Sequence, residues 1–534
     1  MNEAPQNVRL IGGEMLLWSD ADDPVDWRGA GLELVRRLLP AEGRVLLAGP
    51  HPQALVDAVA ARAESVAVLV RSYPDACALG ERHPALTVHC GRLRALTGEE
   101  PYDLVLALDG LQRTSSAEEP APAWRTSLDA LAALVAPGGR LVLAVANDLG
   151  IDRFVEARPP DREGGDGQWE PHGFDPSHPR GSGPLDRALE ASGLAVDRCY
   201  AAYPGRRAPR ALLGRELLER NLPEALTVPL SARGGDTMRV ADPLRLSRLA
   251  FRHGLGEQLA PAWVAVATRP GDAGDVEPPP GDVELPPGLI EVGRAVHEIT
   301  PEAIRRLPGG AARPIPRGRV VEELLVEACA REDVRAVREL LAKLADWVTD
   351  GGEATVDNLV WDGEHFAAVI PVPAPATAPV ARVLLCRILW RFAVRLLAAG
   401  HHHPWPWPLA ADQLTLTLCG MAGKPCDQAD LDLARKLDAE LGQPAEVPDA
   451  SPTYRDLLGA RDRLADQLTA ALARVARLET KLTYRERELV RARAKVRRSQ
   501  RKVAAYRRTL GYRLSRRLVH PRKVARRVKR MLSR

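Results

Sequence analysis

Residues 43–55, GRVLLAGPHPQAL, decide how the first part of this chain is interpreted. The apolar run at 44–48 predicts a buried strand, Gly49-Pro50 predicts a tight turn, and the residues that follow favour a helix. A strand, a tight turn and a helix open the βαβ unit of a doubly wound sheet. In such folds a nucleotide-like cofactor binds in the crevice beyond the first strand, so this turn is a candidate binding site.

Short apolar runs alternate with helical segments through the next two hundred or so residues, as doubly wound folds of this length require. Further strands are predicted at 65–71, 86–90, 103–108, 140–146, 194–203 and 262–268. The strand at 262–268 is expected at an edge of the sheet. A helix at 124–135 is expected to stop at the turn Pro137-Gly138-Gly139. The alternation predicts an α/β, Rossmann-like first domain over residues 1–270, closed by a Pro-, Gly- and acid-rich linker at 271–288.

The cysteine and apolar patterns exclude several classes of protein. The 7 cysteines are scattered without a CxxC pair, which argues against a disulfide framework or a zinc knuckle and favours a reducing cytoplasm. The apolar segment 380–399 carries Arg387, Arg391 and Arg395 on one stripe, so we predict an amphipathic soluble helix and no membrane span. The adjacent histidines 401–403 lead into Pro-Trp-Pro-Trp-Pro and predict a packed turn; no metal site is expected.

The first domain resembles class I S-adenosylmethionine-dependent methyltransferases. The resemblance is carried by the strand and turn at 45–51, by YDLV at 102–105 and by APGGRLVL at 136–143, which match that family in order and spacing. It covers residues 27–268. The family's first loop is rich in glycine, whereas here Gly49 is followed by Pro50 and His51.

Two acids that the family uses around its cofactor are replaced. Arg71 stands where an acid usually accepts hydrogen bonds from the ribose hydroxyls, and arginine cannot accept one. Arg92 stands where an acid usually lies near the adenine amine, so Asp109 is the acid that remains near the strand ends. The resemblance implies that S-adenosylmethionine contacts Gly49, Pro50, Arg71, Arg92 and Asp109, and it identifies no catalytic residue. Either this pocket still holds the cofactor, or the fold is a scaffold whose pocket is empty or binds an anion through Arg71 and Arg92.

A second, smaller unit of the α+β class is predicted over residues 289–448. The segment EATVDNLV at 353–360 resembles the catalytic loop of kinase-fold phosphotransferases, in which an Asp five residues before an Asn orients the hydroxyl and the Asn holds a metal. Glu353 and Asn358 have that spacing. The acid of the following strand should fall near Ile370, where Pro371 follows instead, and no glycine-rich phosphate loop precedes it. The resemblance therefore implies a degenerate kinase-like unit without kinase activity.

Apolar residues recur every seven positions through residues 455–511, at Leu468, Val475, Leu482, Leu489, Val496, Val503 and Leu510. This heptad pattern predicts a coiled coil and self-association. The chain has 74 basic and 70 acidic residues, and residues 491–534 contain 19 of the basic and none of the acidic ones. In the tail, 512–534, apolar residues at helical spacing among these charges favour docking on an anionic membrane surface over non-specific nucleic-acid binding.

The order of these segments resembles bifunctional methyltransferase–kinases that cap bacterial surface polysaccharides. That resemblance implies an S-adenosylmethionine-dependent methyltransferase acting on a glycan or surface-polymer precursor, held at the cytoplasmic face of the membrane. The alternative from another class is a catalytically inactive scaffold of a cell-envelope polysaccharide assembly.

Overall fold

The structure is a computed structural model that describes residues 4–21, 24–40, 42–116, 120–155, 175–219, 226, 230, 243–271, 284–292, 295–370, 380–399, 401–405, 409–440, 454–519 and 526. The chain forms two compact units, Met1–Ser451 and Pro452–Arg534. Most of the predicted linker 271–288 and of the tail 512–534 lies outside the described residues.

The part of the first unit that precedes the predicted linker is an alternation of strands and helices, as the sequence predicts. Its elements are β1 (Val8–Gly12), α1 (Ala30–Leu38), β2 (Arg44–Ala48), α2 (Gln53–Ala60), β3 (Ser65–Val70), α3 (Tyr73–Arg82), β4 (Thr87–Gly91), β5 (Tyr102–Ala107), α4 (Trp124–Ala133), β6 (Val135–Ala146), α5 (Ile151–Val155), α6 (Ser182–Ala191), β7 (Ala195–Tyr203), β8 (Ala211–Gly214), α7 (Arg215–Glu219), α8 (Pro243–Arg252) and β9 (Ala262–Thr268).

The remainder of the chain adds short strands and then helices. Its elements are β10 (Gly288–Val292), β11 (Ala295–Ile299), β12 (Ala303–Arg306), β13 (Ala312–Pro314), β14 (Arg319–Val320), α9 (Val321–Ala330), α10 (Val334–Thr349), β15 (Leu359–Trp361), β16 (Phe366–Ala368), α11 (Ala381–Ala398), α12 (Ala411–Met421), α13 (Gln428–Glu440), α14 (Tyr454–Arg508) and α15 (Leu510–Val519).

The main sheet has the order β1-β4-β3-β2-β5-β6-β9-β7-β8-β10-β11-β12-β13. All neighbouring pairs from β1 to β6 are parallel, whereas β9 runs antiparallel to both β6 and β7. Strand order reverses where β2 lies beside β5, which is the topological switch point of a doubly wound sheet. The predicted Rossmann-like α/β fold is therefore confirmed.

Two details of the predicted sheet are wrong. Strand β9 is interior, between β6 and β7, because six of its seven residues are buried and an apolar strand of this kind needs neighbours on both sides. The segment Pro137–Gly139 lies inside β6 and shifts its register, with Gly138 N donating to Arg269 O at 2.8 Å. The helix before it ends at Ala133, one turn earlier than the glycines.

The sheet also continues past the predicted linker. Strand β10 pairs with β8 through Leu289 and Leu212, and β11 to β13 extend the sheet from there. The sheet is therefore continuous across the predicted boundary near residue 289. A separate apolar core is built further on, from α9 to α13 within residues 321–437. Strands β15 and β16 form a hairpin within residues 357–370, and β15 also pairs with β14, which gives a sheet of 3 strands.

The arginine stripe of α11 does not face solvent, contrary to the prediction. Arg387 is 1% exposed. It donates to Asp438 on α13 at 2.8 Å, and Arg391 donates to both oxygens of the same carboxylate. Arg395 contacts Glu322 on α9 and Asp357 before β15. Acids far away in the sequence neutralise the stripe, which is why a helix with regularly spaced arginines can be buried.

The second unit is dominated by α14, a single helix of 55 residues. The heptad residues from Leu468 to Leu510 are between 47% and 75% exposed in this single chain. The structure holds one chain, so the coiled coil stays a prediction. No described helix combines the length and the apolar character that crossing a bilayer requires.

Candidate functional site

The carboxyl ends of the parallel strands bring the predicted site residues to one edge of the sheet. Gly49 follows β2, Arg71 follows β3, Arg92 follows β4, and Asp109 lies just after β5. Because β2 and β5 are neighbours at the switch point, the ligand crevice typical of this fold is expected between Gly49 and Asp109.

Gly49 makes the turn that the sequence predicts. Its φ is +95°, a conformation that favours glycine, and its N–H donates to Leu69 O at 2.9 Å. A Cβ at this position would meet Thr114 Cγ2 at 3.8 Å, which is ordinary contact, so glycine is needed here for its backbone conformation. Pro50, which follows it, is buried.

His51 links the two sides of the crevice. Its Nδ1 lies 2.8 Å from Gly49 O, so Nδ1 must carry the proton, and Nε2 accepts a long hydrogen bond of 3.4 Å from Leu108 N at the end of β5. Burial lowers the pKa of His51 to about 4, against the opposing effect of the Gly49 hydrogen bond. A neutral imidazole therefore occupies the position where the resembled family has a small residue.

Arg71 is held by an acid that the sequence analysis missed. Its Nε and Nη2 donate to the two oxygens of Asp20 at 2.7 and 2.8 Å, and its Nη1 donates to Ser115 O at 3.0 Å. The Asp20 side chain is 6% exposed. Burial alone would raise the pKa of Asp20, but hydrogen bonds from Arg71 and Trp18 outweigh it, and that pKa lies below its ordinary value.

Asp20 reaches this position because residues 14–20, here called the N-terminal strap, run along the end of β3. Met15 N donates to Arg71 O at 2.7 Å, and Tyr73 N donates to Met15 O at 3.0 Å. Ser72 Oγ then holds Trp18 O at 2.7 Å. No sequence pattern signals this, since Asp20 lies in an acidic loop segment and only tertiary pairing brings it to Arg71.

Asp109 is also paired. Arg113, four residues later, donates to both of its oxygens, and the Asp109 side chain is 4% exposed. Burial nevertheless keeps the pKa of Asp109 above its ordinary value, since it outweighs the effect of Arg113. The same Arg113 donates to Asp20 O at 3.4 Å, so Asp109, Arg113, Asp20 and Arg71 form one connected group at the sheet edge.

Arg92 is placed differently from the other predicted residues. Its N–H donates to Gly12 O at 3.0 Å at the end of β1, and its side-chain carbons lie 3.1 Å from where a Cβ of Gly13 would stand. Arg92 therefore packs against the β1 end. Arg71 and Asp109 are joined through Asp20 and Arg113, and His51 separately joins the Gly49 turn to Leu108.

These residues fit S-adenosylmethionine in part. The Gly49 turn keeps an open backbone conformation, and the Asp20 carboxylate supplies an acceptor beside Arg71, where the family has an acid. The side chain of Arg92 offers no acceptor for an adenine amine.

The kinase-like residues do not build a metal site. The side chain of Asn358 donates to Ile370 O at 2.7 Å and accepts from Ile370 N at 2.9 Å, so its amide is used to close the β15–β16 hairpin. Glu353 is half-buried five residues earlier, and the neighbouring Asp357 is paired with Arg395. An amide satisfied by backbone in this way is not available to a metal.

Comparisons with known proteins return structural matches alone. No protein-family model matches the sequence, and no curated protein matches it. Similar solved structures include the N-methyltransferase NodS from Bradyrhizobium japonicum WM9 in complex with S-adenosyl-L-homocysteine, which is 15% identical. The match covers 45% of this chain and 84% of that one, with a TM-score of 0.25.

Two further matches are of the same kind. The 1,6-didemethyltoxoflavin-N1-methyltransferase of Burkholderia thailandensis is 14% identical over 45% of this chain and 76% of its own, with a TM-score of 0.24. The [4+2]-cyclase SpnF is 14% identical over 48% of this chain and 86% of its own, with a TM-score of 0.26. These similarities are too weak to carry an argument about activity, so the fold rests on its own strand order.

Proposed function

We propose that the N-terminal part of this chain is an S-adenosylmethionine-dependent methyltransferase-like domain. The observation that carries the proposal is the glycine turn at the switch point: Gly49, with a φ of +95°, ends β2 beside β5. Ligands of doubly wound sheets bind at this place. The order of the motifs YDLV and APGGRLVL in the sequence supports the same assignment.

In this proposal the chain's own residues hold the cofactor, and no covalent protein chemistry is needed. The Gly49 turn lets the backbone approach the ligand, and Asp20, oriented by Arg71, accepts hydrogen bonds from its ribose. Bound S-adenosylmethionine supplies an electrophilic methyl group, and the domain contributes by positioning an acceptor in line with it. The acceptor we propose is a glycan or surface-polymer precursor at the cytoplasmic face of the membrane.

A catalytically inactive scaffold of a cell-envelope polysaccharide assembly is the second candidate. It is favoured by the connections across the crevice, since His51 joins the turn after β2 to β5 and Arg113 takes both oxygens of Asp109. Fold alone does not decide between the two, because doubly wound sheets serve many functions.

Calorimetry on the full-length protein with S-adenosylmethionine and S-adenosylhomocysteine separates the candidates. The methyltransferase proposal expects both ligands to bind, and Asp20→Ala to weaken both. Asp129→Ala, a change at a half-exposed acid on α4, should bind like the unchanged protein. Absence of heat at high micromolar concentrations of both ligands would leave the scaffold as the function.

We propose further that α14 self-associates through its heptad residues. Leu482 is 61% exposed on the 55-residue helix α14, and apolar residues that recur every seven positions are buried when such helices pair. Leu482→Glu should lower the mass measured by light scattering, whereas Thr483→Glu, one residue along the same helix, should not. A full-length protein that is monomeric at all concentrations contradicts this proposal.

The basic tail is proposed to dock on anionic lipid. Each Lys or Arg near such a surface contributes about 1 kcal/mol, and the effect falls with salt. Deleting residues 512–534 should abolish co-sedimentation with vesicles that contain anionic lipid. Unchanged sedimentation of the shortened protein would refute the docking.

A further inference from the structure

Three free cysteines converge in the core that residues 321–437 build: Cys386 on α11, Cys419 on α12, and Cys426 in the loop between α12 and α13. Their sulfur atoms all lie within 4.8 Å of one another. Across the described part of the chain, they are the group of potential ligands close enough to share one metal ion. The sequence hides the cluster, since the spacings between the three cysteines match no zinc motif.

The backbone at the end of α12 brings Cys426 back beside Cys419. The helix ends at Met421, Gly423 follows its C-cap with a φ of +76°, and Lys424 N donates to Cys419 O at 3.1 Å. This is the hydrogen-bond pattern of a Schellman turn, which reverses the chain direction. The Cys426 sulfur consequently lies 3.7 Å from Arg382 O, one helical turn before Cys386 on α11.

An ion pair fixes this loop in place. Arg382 Nη2 lies 2.8 Å from the Asp430 carboxylate, whose side chain is 4% exposed. Asp430 N donates to Asp427 Oδ1 at 2.9 Å, so the residue after Cys426 caps the start of α13. The three thiols thus lie on backbone that is anchored on both sides of the loop.

Packing alone accounts poorly for the arrangement. Free cysteines are common in cores, and Cys329 in the same core is an example. Cys386 and Cys419 are likewise fully buried, whereas Cys426 is half-buried and is approached by backbone carbonyls. Sulfurs at about 2.3 Å from a shared tetrahedral ion lie about 3.8 Å apart, so the thiols need to move by about 1 Å or less to bind one.

We propose that Cys386, Cys419 and Cys426 form a thiolate site for a thiophilic divalent cation of the Zn²⁺ class. Each thiol releases its proton to solvent as its sulfur binds the ion, and no oxidant or reductant takes part, because Zn²⁺ does not change its oxidation state. A tetrahedral ion held by three cysteines would take a fourth ligand such as water. Three soft ligands select zinc over magnesium or calcium.

The test uses the full-length protein, reduced, freed of metal and titrated with Co²⁺ as a visible substitute for zinc. The expected result is one Co²⁺ per chain with a sulfur-to-metal charge-transfer absorption, displaced by Zn²⁺. Cys426→Ser should lose the absorption and weaken Co²⁺ binding by about 100-fold or more, since even outer partners of a metal ligand are worth 10–100-fold. Cys419→Ala tests a buried ligand, and Cys329→Ala is its matched control in the same core.

Circular dichroism establishes which variants fold. If Cys419→Ala does not fold, Cys426→Ser, at a half-buried loop position, tests the metal site by itself. Absence of the absorption in the unchanged protein overturns the proposal, as does its persistence in Cys426→Ser. A purified protein that carries a disulfide among the three cysteines and takes up no metal after reduction overturns it as well.

Discussion

Arg71 and Asp20 form an ion pair with two hydrogen bonds, of 2.7 and 2.8 Å, at the carboxyl end of β3. Methyltransferases of the family that the sequence resembles usually have an acidic residue at the position of Arg71. In this protein the acid arrives from the N-terminal strap, and the arginine fixes its orientation. The charges of Arg71 and Asp20 therefore cancel within the protein, and any ligand that binds beside them would contact a neutral pair.

Removing Arg71 should destabilise the protein strongly. The two side chains are 11% and 6% exposed, so Arg71→Ala leaves a buried carboxylate without its partner, which costs about 3 kcal/mol or more. Urea denaturation measures the loss. Arg71→Met with Asp20→Asn should cost less than Arg71→Ala alone, because neither charge then remains.

The control for this pair is Arg125→Ala. Arg125 pairs with Asp129 at 2.8 Å, but the side chains are 34% and 51% exposed, so the change should cost about 1 kcal/mol at most. Equal losses for Arg71→Ala and Arg125→Ala would contradict the buried-pair interpretation.

His51 should make the protein less stable at mildly acid pH. Its folded pKa is about 4, below the ordinary 6.5, so its contribution is full above pH 6.5 and falls as the pH drops towards 4. Between pH 6.5 and 4 the unfolded chain binds a proton at His51 that the folded chain does not bind. This lowers the free energy of unfolding by about 2 kcal/mol, after allowance for the partial exposure of the His51 side chain. The free energy of unfolding measured against pH tests this.

His51→Gln should flatten that part of the stability curve, and His253→Gln, at an exposed histidine, should leave it unchanged. His297 also has a pKa lowered to about 4 by burial, so part of the slope remains in His51→Gln. An identical slope with and without His51 would show that folding does not lower the pKa of this imidazole.

Arg387 should be essential to the stability of the core around α11. The side chains of Arg387 and Asp438 are 2% and 1% exposed, so Arg387→Ala removes a buried hydrogen bond between charged groups and should cost about 1.5–3 kcal/mol, while Arg391 still pairs with the carboxylate. Arg335→Ala removes an exposed pair with Glu339 on α10 and should change the stability little, because water screens the two charges. Thermal unfolding of the two variants, followed by circular dichroism, should give clearly separated midpoints. Matching midpoints would contradict the burial of Arg387 and favour the amphipathic helix predicted from the sequence.

Asn358 should act as a structural residue, without a role in phosphoryl transfer. Its amide makes two hydrogen bonds to the backbone of Ile370, and Asn358→Ala should cost about 1–3 kcal/mol because it leaves those groups unsatisfied. Glu353→Ala, the other kinase-like position, should change the urea midpoint much less. The opposite order of effects would point to a different use of this loop.

The strands around the switch point could be predicted because their signal is local. An unbroken apolar run that ends in glycine identifies β2 and its turn, and runs such as 65–70 identify the next strands. The neighbours of a strand are not encoded locally. The antiparallel insertion of β9 depends on pairing with residues more than one hundred positions earlier, which explains why it was expected at an edge.

The chemistry of the site was predicted less completely, for a similar reason. Arg71 was found as a departure from a family pattern, but its partner Asp20 lies 51 residues away in a loop. The acids that meet the α11 arginines, and the cysteines that meet on α11 and α12, are equally remote in sequence. The sequence shows which residue types are present, whereas the fold is needed to show which of them contact one another.

The position of β9 has a consequence for how the chain assembles. Strand β9 is synthesised after β7 and β8, yet it lies between them and β6. The strands beyond it, which are β7, β8 and β10 to β13, therefore join the parallel half through this one strand of 7 residues. A nascent or truncated chain that ends before residue 262 leaves β6 with an open edge and β7 without its inner neighbour. Unpaired edges of this kind promote aggregation. Six of the 13 strands of the sheet therefore join the parallel half only after this single late segment has formed.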